Sequence, residues 1–272
     1  MMGAVASFVF MAVAGRAILK EINTFELMLY RSLIGMAVVL GLISLNPRGF
    51  TLLRTAIFRQ HLLRNIFHFA GQNLWFFAIA AIPLSQLVAL EFTNPLWVAL
   101  LAPFLLGESL TKQKFLVVLL GFFGVLIVAR PGAEPLAWGH AAALAAALGF
   151  ALNAILTRKI MRQNSVLTVL FWMTFIQTLF ALGLSLPGGI PWPSAALWPW
   201  LIIVGLTGLS AHFCLTTALG LAPASVVAPM EFIRLPIITV VGLMRYDEPI
   251  MATVFIGGAV ILAANYLNLK LK

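Results

Sequence analysis

The sequence predicts an all-α integral membrane protein, with ten transmembrane helices arranged as two inverted five-helix repeats. Three observations predict it. The 272-residue chain is 62% hydrophobic and only 9% charged, with a mean hydropathy of +1.05. Its apolar residues gather into ten runs of bilayer-spanning length. The second half of the chain echoes the first at a separation of 140 residues.

The composition sets the solvent. Soluble domains carry about 25% charged residues, so this chain has too little polar surface to cover a water-facing globule. The formal net charge of +9 would suggest nucleic-acid binding on a soluble protein. Here most of the basic residues fall in short gaps between apolar runs, as in cytoplasmic membrane loops, and no nucleic-acid partner is expected. Cys214 stands alone inside an apolar run, so neither an intrachain disulfide nor a cysteine metal site is available. The first apolar run ends in Arg16–Lys20 rather than a small-residue cleavage site, and reads as a retained first helix.

About 20 mostly apolar residues cross a bilayer as a helix. With charges, Pro and Gly as punctuation, the spans fall at 2–19, 24–45, 62–82, 84–106, 113–130, 136–156, 166–186, 197–220, 223–244 and 250–268. Two connections are very tight, 82–84 at Pro83 and 220–223 at Pro223, and predict helix hairpins at the membrane edge. The segment 47–61 predicts either a solvated basic loop or a short surface helix with Phe50, Leu53 and Ile57 turned inward.

Orientation follows from Lys and Arg. One side carries Arg48, Arg54, Arg59, Arg64, Lys112, Lys114, Arg158, Lys159, Arg162, Lys270 and Lys272; the other carries Arg16, Lys20, Arg130 and Arg245. Eleven against four places both termini in the cytoplasm, in a cell inner membrane. Trp138, Trp192, Trp198 and Trp200 then gather at the outer face.

The internal echo is specific. Ala78, Pro83, Ser85, Glu91, Phe92 and Glu108 recur as Ala218, Pro223, Ser225, Glu231, Phe232 and Glu248. It divides the chain into 1–132 and 133–272. Five spans is an odd number, so the two halves start on opposite sides and are inverted. Inverted halves can exchange conformations and open a central site to each side in turn. That is the sequence's physical argument for transport.

The stretches IPLSQLVALEFTNPLWVALLAPFLLGES at 82–109 and APASVVAPMEFIRLPIITVVGLMRYDEP at 222–249 resemble the paired signatures of EamA-type transporters, in the drug/metabolite transporter superfamily. The resemblance covers the whole chain, including the acidic residues Glu108 and Glu248 at the ends of spans four and nine. It implies an inner-membrane carrier of amino acids, S-adenosylmethionine or similar solutes, and does not specify the cargo. The chain departs from the pattern at Arg245-Tyr246-Asp247, which replaces an apolar-Gly approach. Its first span also starts almost at Met1, which leaves the position of the true start open.

Charged side chains inside a span are costly unless paired or hydrated. Four lie well inside: Arg31, Glu91, Glu231 and Arg234. The pairs Glu91/Asn94 and Glu231/Arg234 are spaced i, i+3, so each shares a helix face. The functional reading is a wet central cavity in which Glu91 or Glu231 accepts an ammonium group or a proton, while Arg234 or Arg31 holds a carboxylate. The structural reading is a Glu231–Arg234 ion pair. His68, Gln72 and Trp75 line one face of span three, as a cavity wall or as interhelical packing. Asn153 in span six faces the same choice. His212 reads as structural, and Trp97 and Trp172 as packing residues. Glu108 and Glu248 read as gating or structural residues. Gly121, Gly124, Gly257 and Gly258 allow close helix contact, and the chain is expected as a monomer or weak homodimer.

There is no Walker A motif, so ATP is not the direct energy source. HExxH, GxSxG and paired cysteine ligands are also missing. The sequence therefore predicts neither an enzyme, nor a cofactor, nor a metal site. It predicts a small-molecule substrate, lipid surroundings and a carrier driven by a solute gradient, exchange or protons. The competing class is a multi-pass protein without transport activity, such as an intramembrane enzyme or a sensor subunit. A channel ranks third, because no ring of like charges appears. A polar cavity at the midplane, built by both repeats, discriminates these classes.

Overall fold

The computed structural model describes residues 2–106, 111–130, 137–221 and 233–271. Its helices are α1 (Met2–Ile18), α2 (Thr24–Ser44), α3 (Phe58–Ala81), α4 (Leu84–Glu91), α5 (Asn94–Leu106), α6 (Lys112–Ala129), α7 (Trp138–Ile160), α8 (Val166–Ser185), α9 (Trp198–Leu221), α10 (Arg234–Tyr246) and α11 (Ala252–Lys270). Among the described residues, six helical segments are long and apolar enough to cross a membrane. With the polarity described next, they make this a multi-pass membrane protein.

That polarity is reversed relative to a soluble globule. Large apolar side chains such as Phe10, Leu116, Phe123 and Met244 face outward, while Arg31, Arg64, Asn65, His68, Gln72, Gln177 and Arg234 are buried. Lipid solvates the first set at no cost. The second set must find partners inside the bundle.

Helix ends follow local chemistry. Asn23 caps α2 by accepting from the backbone N–H of Glu26, whose carboxylate accepts in return from Asn23 N–H. Thr111 and Ser165 cap α6 and α8 through their hydroxyls. Pro83 makes the expected tight hairpin between α3 and α4. The equivalent turn at 220–223 lies partly outside the described residues.

Three corrections to the sequence reading follow. Span four is two helices, not one: α4 ends at Glu91 and α5 begins at Asn94. The break leaves Glu91 and Asn94 without a common helix face. Arg64, counted with the loop charges but placed near the start of the predicted span 62–82, lies deeper inside α3 because that helix starts at Phe58; it is 3% exposed. The 47–61 segment contains a 3-10 helix, Gly49–Leu53, but Phe50 points outward and Leu52 is the buried anchor. The close helix contact expected of Gly124 and Gly257 is present, within the chain. A Cβ on Gly257 would lie 2.6 Å from the Gly124 carbonyl oxygen, so α6 and α11 cross backbone to backbone. Gly121 similarly accommodates Leu96.

The most extensive helix contacts are α3 with α7, α6 with α11, α1 with α9, and α2 with α8. They surround a polar interior built mainly by α2, α3, α8 and α9, with α4 and α10 packed against each other beside it.

Candidate functional site

The break in span four places a carboxylate inside the bundle. Glu91 is the last residue of α4, about 10 Å from that helix's start at 1.5 Å per residue. Its Oε2 accepts from Trp75 Nε1 on α3 at 2.9 Å. Its Oε1 lies 3.0 Å from Nη2 of Arg234, the first residue of α10. Arg234 therefore pairs across helices with Glu91. Glu231, its expected partner in the structural reading, lies outside the described residues.

The Glu91–Arg234 contact is an ion pair by distance only. Its angle falls outside hydrogen-bond geometry, and Nε, Nη1 and Nη2 of Arg234 all lack an acceptor among the described residues. The guanidinium carbon sits 4.8 Å from the Phe8 ring centroid and 5.3 Å from that of Phe92. Two aromatic faces thus hold a buried cation with spare donors.

A second polar layer adjoins it through α3. Gln72 Oε1 accepts from Arg31 Nη1 at 2.9 Å. His68 Nδ1 lies 2.8 Å from Gln177 Nε2 on α8, which donates in that contact. The His68 and His212 rings stand edge to face at 5.0 Å. Arg64 donates Nε to Thr157 Oγ1 at 3.1 Å and Nη1 to Asn65 Oδ1 at 3.2 Å. The His68, Gln72 and Trp75 face predicted from spacing exists, and each member bonds to a different helix.

The remaining predicted residues are dispersed. Asn94 is partly buried at the start of α5. Asn153 is half-buried on α7, and its Oδ1 has no partner among the described residues. Trp172 is a packing residue as expected, ringed by Phe58, Phe171 and Phe175. Glu108 lies outside the described residues. Glu248 forms a clasp at the face that holds the α3–α4 turn. It pairs with Arg16, and its Oε2 accepts from Leu84 N–H at 2.9 Å, capping α4 from another segment. Arg16 also donates to the carbonyls of Ile79 at 2.8 Å and Ile82 at 2.7 Å, and stacks on Tyr246.

Sequence reasoning missed Phe8, Ser32, Asn65, Thr174 and Gln177. Each is a polar or aromatic residue inside an apolar run, a signal present in the sequence but too common to single out without knowing which helix faces meet.

The sequence profile of the EamA-like transporter family matches residues 1–130 and again 137–270. The chain belongs to the EamA-like transporter family. This EamA-like chain is 26% identical over 236 residues to a riboflavin transporter of Rhizobium johnstonii, covering 87% of this chain and 78% of that one. It is 28% identical over 234 residues to a riboflavin transporter of Brucella anthropi, covering 84% and 82%. It is 26% identical over 243 residues to an S-adenosylmethionine uptake transporter of Rickettsia prowazekii, covering 89% and 81%. A solved crystal structure overlays 99% of this chain and 95% of its own with a TM-score of 0.67 at 20% identity, a likeness of fold alone.

Proposed function

We propose that this EamA-like protein is a secondary carrier that moves a small polar metabolite across the inner membrane by alternating access. The two halves, 1–132 and 133–272, are its inverted moving parts. The observation that carries the reading is the interrupted span four, with the Glu91–Arg234 pair at its break. Discontinuous helices in carriers free backbone and charged groups to meet a solute in mid-membrane.

Helix boundaries support the duplication. α3 and α9 start at Phe58 and Trp198, α5 and α10 at Asn94 and Arg234, and α6 and α11 at Lys112 and Ala252, each pair 140 residues apart. The main packing pairs also map onto one another when each span is exchanged with the span five later. α3–α7 becomes α9–α1, while α2–α8 and α6–α11 each map onto themselves.

In this reading Glu91 accepts an ammonium group or a proton. Arg234, with its unused donors, takes a carboxylate or carbonyl, and Trp75, Phe8 and Phe92 supply flat apolar faces. Arg31, His68 and Gln72 line the adjoining wall. Asn94, Asn153 and Glu231 are further solute ligands, Glu231 by its repeat relation to Glu91. Arg16 and Glu248 close one face. The lysine and arginine distribution supports cytoplasmic termini, which puts that clasp at the outer face. The solute is an amino acid, or a compound pairing polar groups with a nitrogen heterocycle. Riboflavin and S-adenosylmethionine, the cargo of the similar transporters, are the first candidates.

The test is uptake of radiolabelled riboflavin, S-adenosylmethionine and amino acids into proteoliposomes. The expected result is saturable uptake of at least one, above empty liposomes, lost in Glu91→Gln. Wild-type uptake by folded Glu91→Gln at every pH would overturn the site. Absence of uptake of all these compounds by folded wild-type protein would overturn the substrate class.

A further inference from the structure

The connection between α2 and α3 carries chemistry that the solute site does not use. Its backbone is folded rather than loose. Asn46 Oδ1 accepts from the N–H of Arg48, and the Asn46 carbonyl accepts from the N–H of Gly49 at 2.8 Å. Gly49 holds φ at +50°, and the 3-10 helix Gly49–Leu53 follows. Leu52 is buried in a small cluster with Ile43, Leu170 and Met173. Trp172 of α8 donates Nε1 to the Leu53 carbonyl at 3.1 Å, and its ring meets that of Phe58 edge to face at 5.1 Å. One face of the connection is thus fixed to α2 and α8, and several of its backbone groups are paired internally, as a segment lying at a membrane surface requires.

The rest of its surface mixes large apolar and cationic side chains. Leu45, Phe50 and Phe58 are 85%, 61% and 44% exposed. Arg48, Arg54 and Arg59 are exposed between and beside them, and none of the three guanidiniums bonds to a described residue. No acidic residue occurs between Glu26 and Glu91. Leu42, exposed on α2 three residues before Leu45, shares its side of the helix, so this surface continues one that acyl chains cover. Water alone would leave three large apolar side chains in contact with solvent, and hydrocarbon alone would strand three guanidiniums. The boundary between acyl chains and lipid phosphates satisfies both sets.

We propose that the 45–59 connection is a binding site for anionic glycerophospholipids. Arg48, Arg54 and Arg59 take the lipid phosphates, whose oxygens accept from guanidinium N–H groups, while Leu45, Phe50 and Phe58 enter the acyl layer beside them. The lack of acidic side chains in this stretch of chain selects an anionic over a zwitterionic headgroup, because no carboxylate of the stretch is offered to a choline or ethanolamine ammonium. The site depends only on the membrane setting of the chain, and neither on the Glu91–Arg234 site nor on which side the termini lie. Its ligand is a lipid held at the surface, not a transported solute.

Brominated lipids, which quench tryptophan on contact, test this with the full chain in vesicles and without any transport assay. The reporter is Phe50→Trp, and its signal is the difference from the chain that keeps Phe50. The vesicles are equimolar in phosphatidylglycerol and phosphatidylcholine in both leaflets, with bromines on the chains of one lipid or the other. The expected result is stronger quenching by brominated phosphatidylglycerol, equivalent to a preference of roughly tenfold or more at low salt. Replacing Arg48, Arg54 and Arg59 together by Gln in the reporter background should make the two lipids quench equally. Each single replacement should lower the preference about fivefold, and serves if the triple variant does not insert. Equal quenching by the two lipids with all three arginines present, a preference unchanged in the triple variant, or no quenching of the reporter by either lipid overturns the proposal.

Discussion

Replacing Glu91 by Gln leaves the Arg234 guanidinium buried without a counter-ion among the described residues. The side chains are 14% and 3% exposed, so water screens them little. Breaking a buried pair from one side costs about 3–5 kcal/mol. The contact lacks hydrogen-bond geometry, which favours the lower end, about 3 kcal/mol. Trp75 Nε1 would then donate to an amide instead of a carboxylate, a further loss of about 1 kcal/mol. At about 2–4 °C per kcal/mol for a chain of this size, Tm should fall by roughly 8–16 °C. The double variant Glu91→Gln/Arg234→Gln removes both charges and should return to within about 1 kcal/mol of wild type. The assay is thermal unfolding of the four proteins in one detergent, paired with proteoliposome uptake. If the pair binds solute, the double variant is stable and inactive. A double variant that transports at the wild-type rate would reduce the pair to a structural one. Glu91→Gln melting with wild type would refute the assignment of the ion pair itself.

Other consequences can be measured in the same way. Gly257→Val forces a side chain into the Gly124 carbonyl and should cost about 1–3 kcal/mol; Gly41→Ala, with nothing within 4 Å of its Cβ, should leave Tm unchanged or slightly raised. Arg16→Gln strips the carbonyls of Ile79 and Ile82 and the carboxylate of Glu248 of their donor, and should lower Tm by an amount equivalent to about 2–4 kcal/mol. It should also speed modification of a cysteine placed at Pro83 by a membrane-impermeant maleimide, whereas unchanged reactivity would remove Arg16 from any gating role. Trp192→Cys in a Cys214→Ser background should label from outside intact cells, and labelling only after lysis would reverse the assigned orientation.

Much of the architecture was legible because hydropathy is a one-dimensional signal. The ends of α1, α2, α8 and α9 fall within one or two residues of the predicted spans, since lipid demands long unbroken apolar runs. The break at Phe92–Thr93 was not legible. No Gly marks it, the charge beside it at Glu91 reads as a site residue inside a continuous span, and Pro95 falls in the first turn of α5, where proline is compatible with a helix. Arg64 was misplaced for a related reason. A basic residue near the end of an apolar run reads as a boundary charge until the helix is seen to start at Phe58, a turn and a half earlier.

The sequence by itself determined that the chain lives in a membrane, which residues are too polar for lipid, and that its second half repeats its first. These depend on composition and order alone. Only the tertiary structure decided the pairings. Spacing within one helix offered Arg234 a partner at Glu231; the fold brings Glu91 to it from another helix, with Trp75 of α3 bonded to that carboxylate. It also left Arg31 and Arg64 without a carboxylate among the described residues. In a medium that solvates no charge, the side chains that meet across helices decide which polar groups are satisfied and which remain open to a ligand.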